Sequence, residues 1–531
     1  MSKRNQHIKQ ILSVVLVMIL LLSLLTSCGD EENLEETAIL NAISNTMPEV
    51  RQMLDIGNEN QIVNYLTNWA AARDSVKISH DEYGNIIMSS KATSDEYKDG
   101  ESVILHCSLD FTDTLKTARE ISTILYVLDK SEEHGFIRAV FTHMTSTSHL
   151  DGAEKISKRY IEADNLLSLD WEGNRSILVG SAGTTTYKIT DPLSWNEPKY
   201  PKAYEIKIKG LPGGSSADSS IKQPNAIKLV GDLLATLKSK SILYELAGFN
   251  GGDSAYNYPQ FADIIIVINQ NDNEKFISWV ENAQEKFEDK YGEELMEAAE
   301  AEAVAAYEAE HGTAAAVNYK PDIEPPYSFT CNPVELPSYV MSDENCNRLV
   351  SFLYAMPSGT YLKSEEGRIV ATTNLGKLST KTGTLILELC ARSMNKTTLD
   401  EITTVVDTVC GLSDVKCEIH EQFPVWEAPE FASDVVEGLR TYDVEKPETL
   451  LSDPSQSYFN RLSESITRVY DNDTKRRTTF KRSACAIFHE RVPEMNVLTF
   501  GLSEEKLAKE ILVIMDFLKN INNPLGQTNA E

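Results

Sequence analysis

The chain has 531 residues, more than one ordinary core can bury, so two or more domains are expected. Hydrophobic residues make up 41% and aromatic residues 8%, which describes a globular body and excludes a disordered one. The formal net charge is −30, and removing residues 1–27 takes away Lys3, Arg4 and Lys9 and no acid, leaving −33. A surface that acidic repels phosphate backbones and anionic headgroups, so nucleic acid is excluded as a partner.

Lys3, Arg4 and Lys9 open the chain, and Ile11 to Leu25 is an almost wholly aliphatic run of 15 residues. That is the length of a signal-peptide core and short of the ~20 residues a spanning helix needs. Leu25-Thr26-Ser27-Cys28 comes next and resembles a bacterial lipobox, where small residues admit the signal peptidase and the Cys thiol takes a diacylglyceryl group. The expectation is a lipoprotein held in the cell envelope through Cys28, outer membrane rather than inner; the bland alternatives are a plain signal peptide or an uncleaved anchor. Gly29-Asp30-Glu31-Glu32 reads either as a surface-export signal of the kind some bacterial lipoproteins carry or as the start of a solvated tether over residues 28–38.

From residue 39 to 189 apolar strands alternate with helices. Asp81 to Asn85 is a turn feeding the strand Ile86 to Met88, and Ser102 to Cys107 is a strand of the fully buried type. Thr114 to Leu128 carries Ile121, Leu125 and Leu128 at helical spacing, and Phe136 to Phe141 and Ser176 to Val179 are further strands. The alternation predicts a largely parallel sheet with helices on its faces.

After residue 190 the texture changes. Ala203 to Leu211 alternates as an amphipathic strand, a Gly/Ser loop follows, and Pro224 opens a helix through Lys238. Ile264 to Ile268 is a strand, and Asn273 to Asp289 is a helix with Phe276, Val280, Ala283 and Phe287 as its apolar stripe. Glu293 to Glu310 reads as a solvated Ala/Glu helix. Thr384 to Leu389 and Leu399 to Val409 form another strand and helix, and residues 423–525 return to α/β, ending in a helix buried along Leu507, Ile511, Ile514 and Leu518. Besides Cys28 there are seven cysteines, with no C-x-x-C spacing; most should be buried as small hydrophobes, though Cys331 and Cys346 could pair in an oxidising compartment.

Eight landmarks then fall in order: Asp81 to Ile87, Leu105 to Asp110, Met144 to Ala153, Val179 to Gly183, Lys209 to Ser216, Gly248 to Gly252, Ala391 to Ser393 and Pro493 to Gly501. Together they resemble the zinc dipeptidase and aminopeptidase family, on its aminoacyl-histidine (Xaa-His) dipeptidase side, over roughly residues 50–520. The resemblance implies an α/β fold in which a largely parallel-sheet, peptidase-like domain (39–189 plus 423–525) is interrupted by a large inserted α+β lid domain (190–422).

The family works with two zinc ions about 3.5–4 Å apart and a carboxylate base. Carried over residue by residue, its ligand set is mostly lost here. The first His falls on Ser108, leaving its partner Asp110; the bridging Asp falls on Ala118; the Glu-Glu pair falls on Ser146 and Thr147; the lid His falls on Ser215; and the last His, after Gly501, is deleted. Asp170 is kept, so Asp110 and Asp170 are read as a vestigial metal site with no catalytic residue and no resident cofactor.

Among neighbours, His106 lies two residues from Ser108, ~6.6 Å along a strand, while His143 and His149 flank Ser146. His420-Glu421 and His489-Glu490 lack the second His of a zinc helix. Gly180 to Gly183 lacks the G-x-S-x-G order, and Gly213 to Ser216 suits a lid turn better than an anion loop. Arg392 resembles a lid Arg that can grip a substrate carboxylate, which implies a peptide or an acidic metabolite as ligand. Two readings stay open: a non-catalytic binding or assembly module anchored to a membrane, or a hydrolase with a rebuilt, mononuclear site using Asp170 with His143 or His149.

Overall fold

The structure, a computed structural model, describes residues 34–144, 150–173, 175–217, 224–311, 319–365, 367–381, 383–428, 457–470 and 474–523. The signal segment with Cys28, Asp30, Glu31 and Glu32 lies outside them. Among the described residues no helix is long and apolar enough to cross a membrane. The stretch read as tether gives way to structure early: a helix starts at Leu34 and runs to Asp55, with Glu35 and Glu36 in its first turn, where the helix dipole favours anions.

In chain order the strands are β1 (Val76–His80), β2 (Ile86–Ser90), β3 (Val103–Leu109), β4 (Ile137–His143), β5 (Asn165–Glu172), β6 (Ser176–Ser181), β7 (Gly183–Pro192), β8 (Trp195–Asn196), β9 (Lys202–Lys209), β10 (Tyr244–Gly252), β11 (Ala262–Ile268), β12 (Ser328–Val334), β13 (Val340–Met341), β14 (Gly359–Lys363), β15 (Ile369–Ser379), β16 (Thr384–Ser393), β17 (Lys416–Phe423), β18 (Lys475–Thr479) and β19 (Asn496–Leu502).

The first sheet has the order β1-β2-β4-β3-β5-β19-β6-β18. Its centre is parallel (β4, β3, β5 and β19), and β18 runs parallel to β6. The pairs β1–β2, β2–β4 and β6–β19 are antiparallel, so the sheet is mixed, with its parallel part in the middle. Consecutive apolar residues bury both faces, as a parallel core requires. Val103, Leu105 and Cys107 join one hydrophobic cluster, under the helices Leu34–Asp55, Glu59–Ala71, Thr114–Lys130, Ser457–Tyr470 and Leu507–Asn520. Ile104 and Val140 face the other way, toward the helix Ala484–Arg491.

The second sheet is antiparallel throughout, in the order β12-β9-β11-β10-β15-β16-β7-β17, with β14 paired to β15. One face is covered by the helices Ala226–Ser239, Asn273–Phe287, Asp343–Ala355 and Lys396–Leu412. Along β16, Leu385, Leu387, Leu389 and Ala391 point into that core, so the alternation of a strand sends Glu388, Cys390 and Arg392 to the opposite face. At the edges, among the described residues, β12 pairs only with β9 and carries Pro333, while β17 pairs only with β7 and exposes Lys416 and Glu418.

The chain passes from the first sheet to the second at Ala182 and returns at Phe423 to Trp426. Ser181 N donates to Trp426 O (2.9 Å) and Trp426 N to Ser181 O (3.0 Å), while Ala182 N donates to Thr479 O (2.9 Å). A Cβ on Gly183 would sit 2.4 Å from Val425 Cγ2, and one on Gly180 2.8 Å from Ala428 Cβ, so glycine alone allows this approach.

The C-terminal helix buries a carboxylate. Glu510 is fully covered and accepts from Ser503 N (2.6 Å) and Ser503 Oγ (2.8 Å). Burial outweighs these bonds and pushes its pKa up to about 7. A raised carboxyl pKa favours the folded state while the group is protonated, so this contribution is intact below about pH 4.5 and is lost as pH rises through about 7. Denaturation of wild type and Glu510→Gln at pH 5 and pH 8 should show wild type losing up to about 3 kcal/mol more than the variant between the two. Parallel losses would contradict it.

Candidate functional site

The carboxyl ends of the parallel strands, where α/β sheets place their ligand crevices, carry a polar stripe. His106 and Ser108 on β3, Thr142 on β4, and Ser168 and Asp170 on β5 share the face of Ile104, Val140 and Leu166. His106 is fully buried, with Nδ1 3.0 Å from Ser168 Oγ, Nε2 2.9 Å from Thr142 Oγ1, and its ring edge-on to Phe488. Burial drives its pKa down against the pull of Asp170, and the ring bridges two hydroxyls.

Asp170, which the resemblance reads as a kept ligand position, is held from within the fold. Ser108 donates to it twice, from N to Oδ1 (2.7 Å) and from Oγ to Oδ2 (2.7 Å). His106 Nδ1 stands 3.6 Å from Oδ2, nearer than spacing along β3 suggested, because β3 and β5 are adjacent strands. Burial alone would raise this carboxyl; His106, Lys116 and the two Ser108 bonds outweigh it and hold the pKa below the usual carboxylate range.

Lys116 and Glu120 sit beside this point, one turn apart on the helix Thr114–Lys130. Lys116 Nζ lies 2.7 Å from Glu120 Oε1, with Glu120 only 1% exposed. Neither Glu120 oxygen has a well-angled hydrogen bond among the described residues, and burial pushes its pKa up to about 8. Burial works against the Lys116 ammonium, yet Glu120 and Asp170 together raise its pKa and keep it charged. A cation therefore stands next to Asp170, two residues before Ala118, which is itself fully buried.

The other carried-over positions do not converge on Asp170. Asp110 Oδ1 accepts from Thr112 N (2.7 Å) and Thr112 Oγ1 (2.6 Å), closing its own turn. His143 has Nδ1 3.3 Å from Glu59 Oε1, on the helix Glu59–Ala71. Ser215 bridges to Asn257 in the lid. Ser146, Thr147 and His149 lie outside the described residues. Among the described residues no three His, Cys, Asp or Glu side chains are grouped to hold a metal ion. The donors present do not suit a zinc pair: a hydroxyl and a methyl stand where the resemblance implies two ligands, Asp170 is engaged by Ser108, and Lys116 would repel a cation.

A second polar cluster forms where the sheets meet. Arg392, next to last on β16, is 5% exposed. Its Nη1 donates to Thr184 Oγ1 (3.0 Å) and to Phe480 O (3.2 Å), and Nε reaches Ser216 Oγ at 3.5 Å. Its Nη2 has no partner among the described residues, and the guanidinium lies 6.0 Å from the Tyr256 ring. Arg482 lies 5.3 Å from that ring and donates from Nη1 to Glu421 Oε1 (2.5 Å); the Tyr256 hydroxyl also donates to Glu421. Two guanidiniums thus flank one aromatic ring, and the acid beside them is bound to Arg482 and not to Arg392. Lys116, Glu120, Tyr256 and Arg482 carry no motif, and only their partners in space mark them out.

No family model matches the chain. In sequence it is similar to the cytosol non-specific dipeptidase of Escherichia coli (strain K12), 21% identical over 482 residues, 84% of this chain and 87% of that one. In structure it is similar to aminoacylhistidine dipeptidase from Vibrio alginolyticus, with a TM-score of 0.69 at 18% identity over 89% of this chain and 97% of that one. The fold is shared.

If the Lys116 ammonium is what balances Asp170 and Glu120, removing it should leave this buried acid pair without a cation. Lys116→Met is expected to lower unfolding free energy by about 3–5 kcal/mol, and adding Glu120→Gln should restore at least half of that in urea denaturation. A single variant as stable as wild type would count against the assignment.

Proposed function

We propose a role for what is, in sequence and in fold, a relative of the zinc dipeptidases: a membrane-anchored bacterial lipoprotein whose old catalytic cleft binds a ligand without cleaving it. The observation that carries the non-catalytic part is the pair of Ser108 bonds to Asp170 (both 2.7 Å), which occupy the retained ligand carboxylate where the family has a histidine. Without a metal-bound water or the Glu-Glu base, replaced by Ser146 and Thr147, the hydrolytic step has no agent. The ligand class follows from Arg392. A guanidinium held by Thr184 and Phe480 with Nη2 left over can take a carboxylate by paired hydrogen bonds, which a Lys cannot reproduce. The ligand is a peptide or an acidic metabolite. Anchoring rests on the basic, apolar and lipobox segments ending at Cys28, with the outer membrane as destination and Asp30, Glu31 and Glu32 favouring the cell surface.

Calorimetry with dipeptide mixtures should show heat on binding that Arg392→Lys loses while its melting temperature stays near wild type. The same protein should carry less than one zinc per chain and leave Xaa-His dipeptides uncut. Chelator-sensitive turnover that disappears in Asp170→Ala would overturn the non-catalytic reading, and equal binding by wild type and Arg392→Lys would remove Arg392 as the anchor.

Anchoring has its own outcome. Cys28→Ser should abolish labelling by a fatty-acid probe and leave an unprocessed precursor of full length. Wild-type chain without lipid would refute the anchor.

A further inference from the structure

The cysteine pair that the sequence suggested, Cys331 and Cys346, sits in separate elements, the edge strand β12 and the helix Asp343–Ala355. Burial pushes the two thiols up to about 11 and about 12, and all seven cysteines among the described residues are free. A different pair stands together. The helix Lys396–Leu412 buries Leu399, Ile402, Val406 and Cys410 along one stripe, and Cys410 in its last turn is 2% exposed. The chain then reverses, with Val415 N donating to Cys410 O (3.1 Å) and Asp414 at φ 51°, and enters β17 one residue before Cys417. Cys417 is opposite Ile189 of β7, half-buried against the same core that holds Cys410, and the Cys410 thiol donates to the Cys417 sulfur.

The geometry points to Cys410 and Cys417 as a disulfide site that ties the end of the helix Lys396–Leu412 to the edge strand β17. Disulfides need side chains that already approach each other, and here the helix end, the tight reversal and the shared core bring the two cysteines to one corner of the fold. Cys417 is the attacking group. Its sulfur accepts the bond from Cys410, which holds its pKa below the ordinary thiol value, and it is the more exposed of the two. The oxidant is a donor disulfide, either a small-molecule disulfide or that of a thiol oxidase, as an exported chain would meet. The Cys417 thiolate attacks one donor sulfur and expels the other as a thiolate. Cys410 then gives up its proton and attacks Cys417 Sγ, releasing the second donor sulfur. One disulfide forms in the chain, one is reduced in the donor to two thiols, and two electrons pass between them.

The bond has reach beyond the helix, because β17 also carries Glu421, which holds Arg482 and Tyr256 at the meeting of the sheets. It would fix the outer end of the strand whose inner end lines that cluster. This inference does not depend on whether the cleft binds a ligand.

Lys416 lies between the two cysteines, so trypsin separates them into peptides 397–416 and 417–440. Full-length protein is incubated natively with oxidised glutathione, quenched in acid, alkylated and digested without reduction. The expected product is the two peptides joined, collapsing to separate masses on reduction, together with a higher urea midpoint for the oxidised chain. In Cys417→Ser the joined species and the midpoint shift should both vanish while the unoxidised variant keeps the wild-type midpoint; Cys410→Ser serves the same purpose should the first variant fold poorly. Recovery of both peptides alkylated or singly glutathionylated in wild type would overturn the proposal, as would either cysteine joined to a different one.

Discussion

The crossing between the two sheets is the constraint on which the rest of the structure depends. Ser181 and Trp426 pair through two backbone hydrogen bonds where outgoing and returning chain pass each other, and Gly180 and Gly183 have no side chain because Ala428 and Val425 occupy that space. A larger residue at either glycine must push the strands apart. Everything polar at the junction follows from this approach. Arg392, bonded to Thr184 on the second sheet, can reach Phe480 O just past β18 because Ala182 N is already bonded to Thr479 O one residue away. The Val179 to Gly183 motif is therefore a packing requirement, and it need not carry chemistry to be retained.

Asp170 and Glu120 show how the fold accommodates acids it buries. Buried carboxylates require a compensating charge, and an unpaired one costs several kcal/mol. Here His106 spans two hydroxyls, and one ammonium, Lys116, serves Asp170 and Glu120 together. The compensating charge at this point is part of the chain itself.

Much of this fold is legible in the sequence because periodicity reports local burial. Thr114 to Leu128, Asn273 to Asp289 and the stripe Leu507, Ile511, Ile514, Leu518 all correspond to helices with those faces buried. That Ser108 and Ala118 stand where the resemblance implies ligands is equally legible, since it needs only residue identity. What surrounds them is not. Lys116 and Glu120 look like an ordinary surface pair one turn apart, and only the cover of neighbouring elements buries Glu120 and half-buries Lys116. Glu421 follows His420 as half of a zinc motif, yet its partners Arg482 and Tyr256 lie 61 and 165 residues away. Local pattern holds no information on such meetings. The helix from Leu34 was hidden for a related reason: its acidic first turn looks solvated until the apolar face from Ile39 to Leu54 is seen packed on the first sheet.

The edges of the second sheet bear on how copies of the chain behave toward one another. An open strand edge is a template that a neighbouring chain can extend, and the hazard grows with local concentration. On one edge Pro333 has no N–H to offer, and on the other Lys416 and Glu418 set charges of both signs along β17. Neither edge invites a further strand. Chains held at high local concentration meet far more often than chains in dilute solution, so edges that resist pairing with one another let the protein be packed densely without forming fibrils.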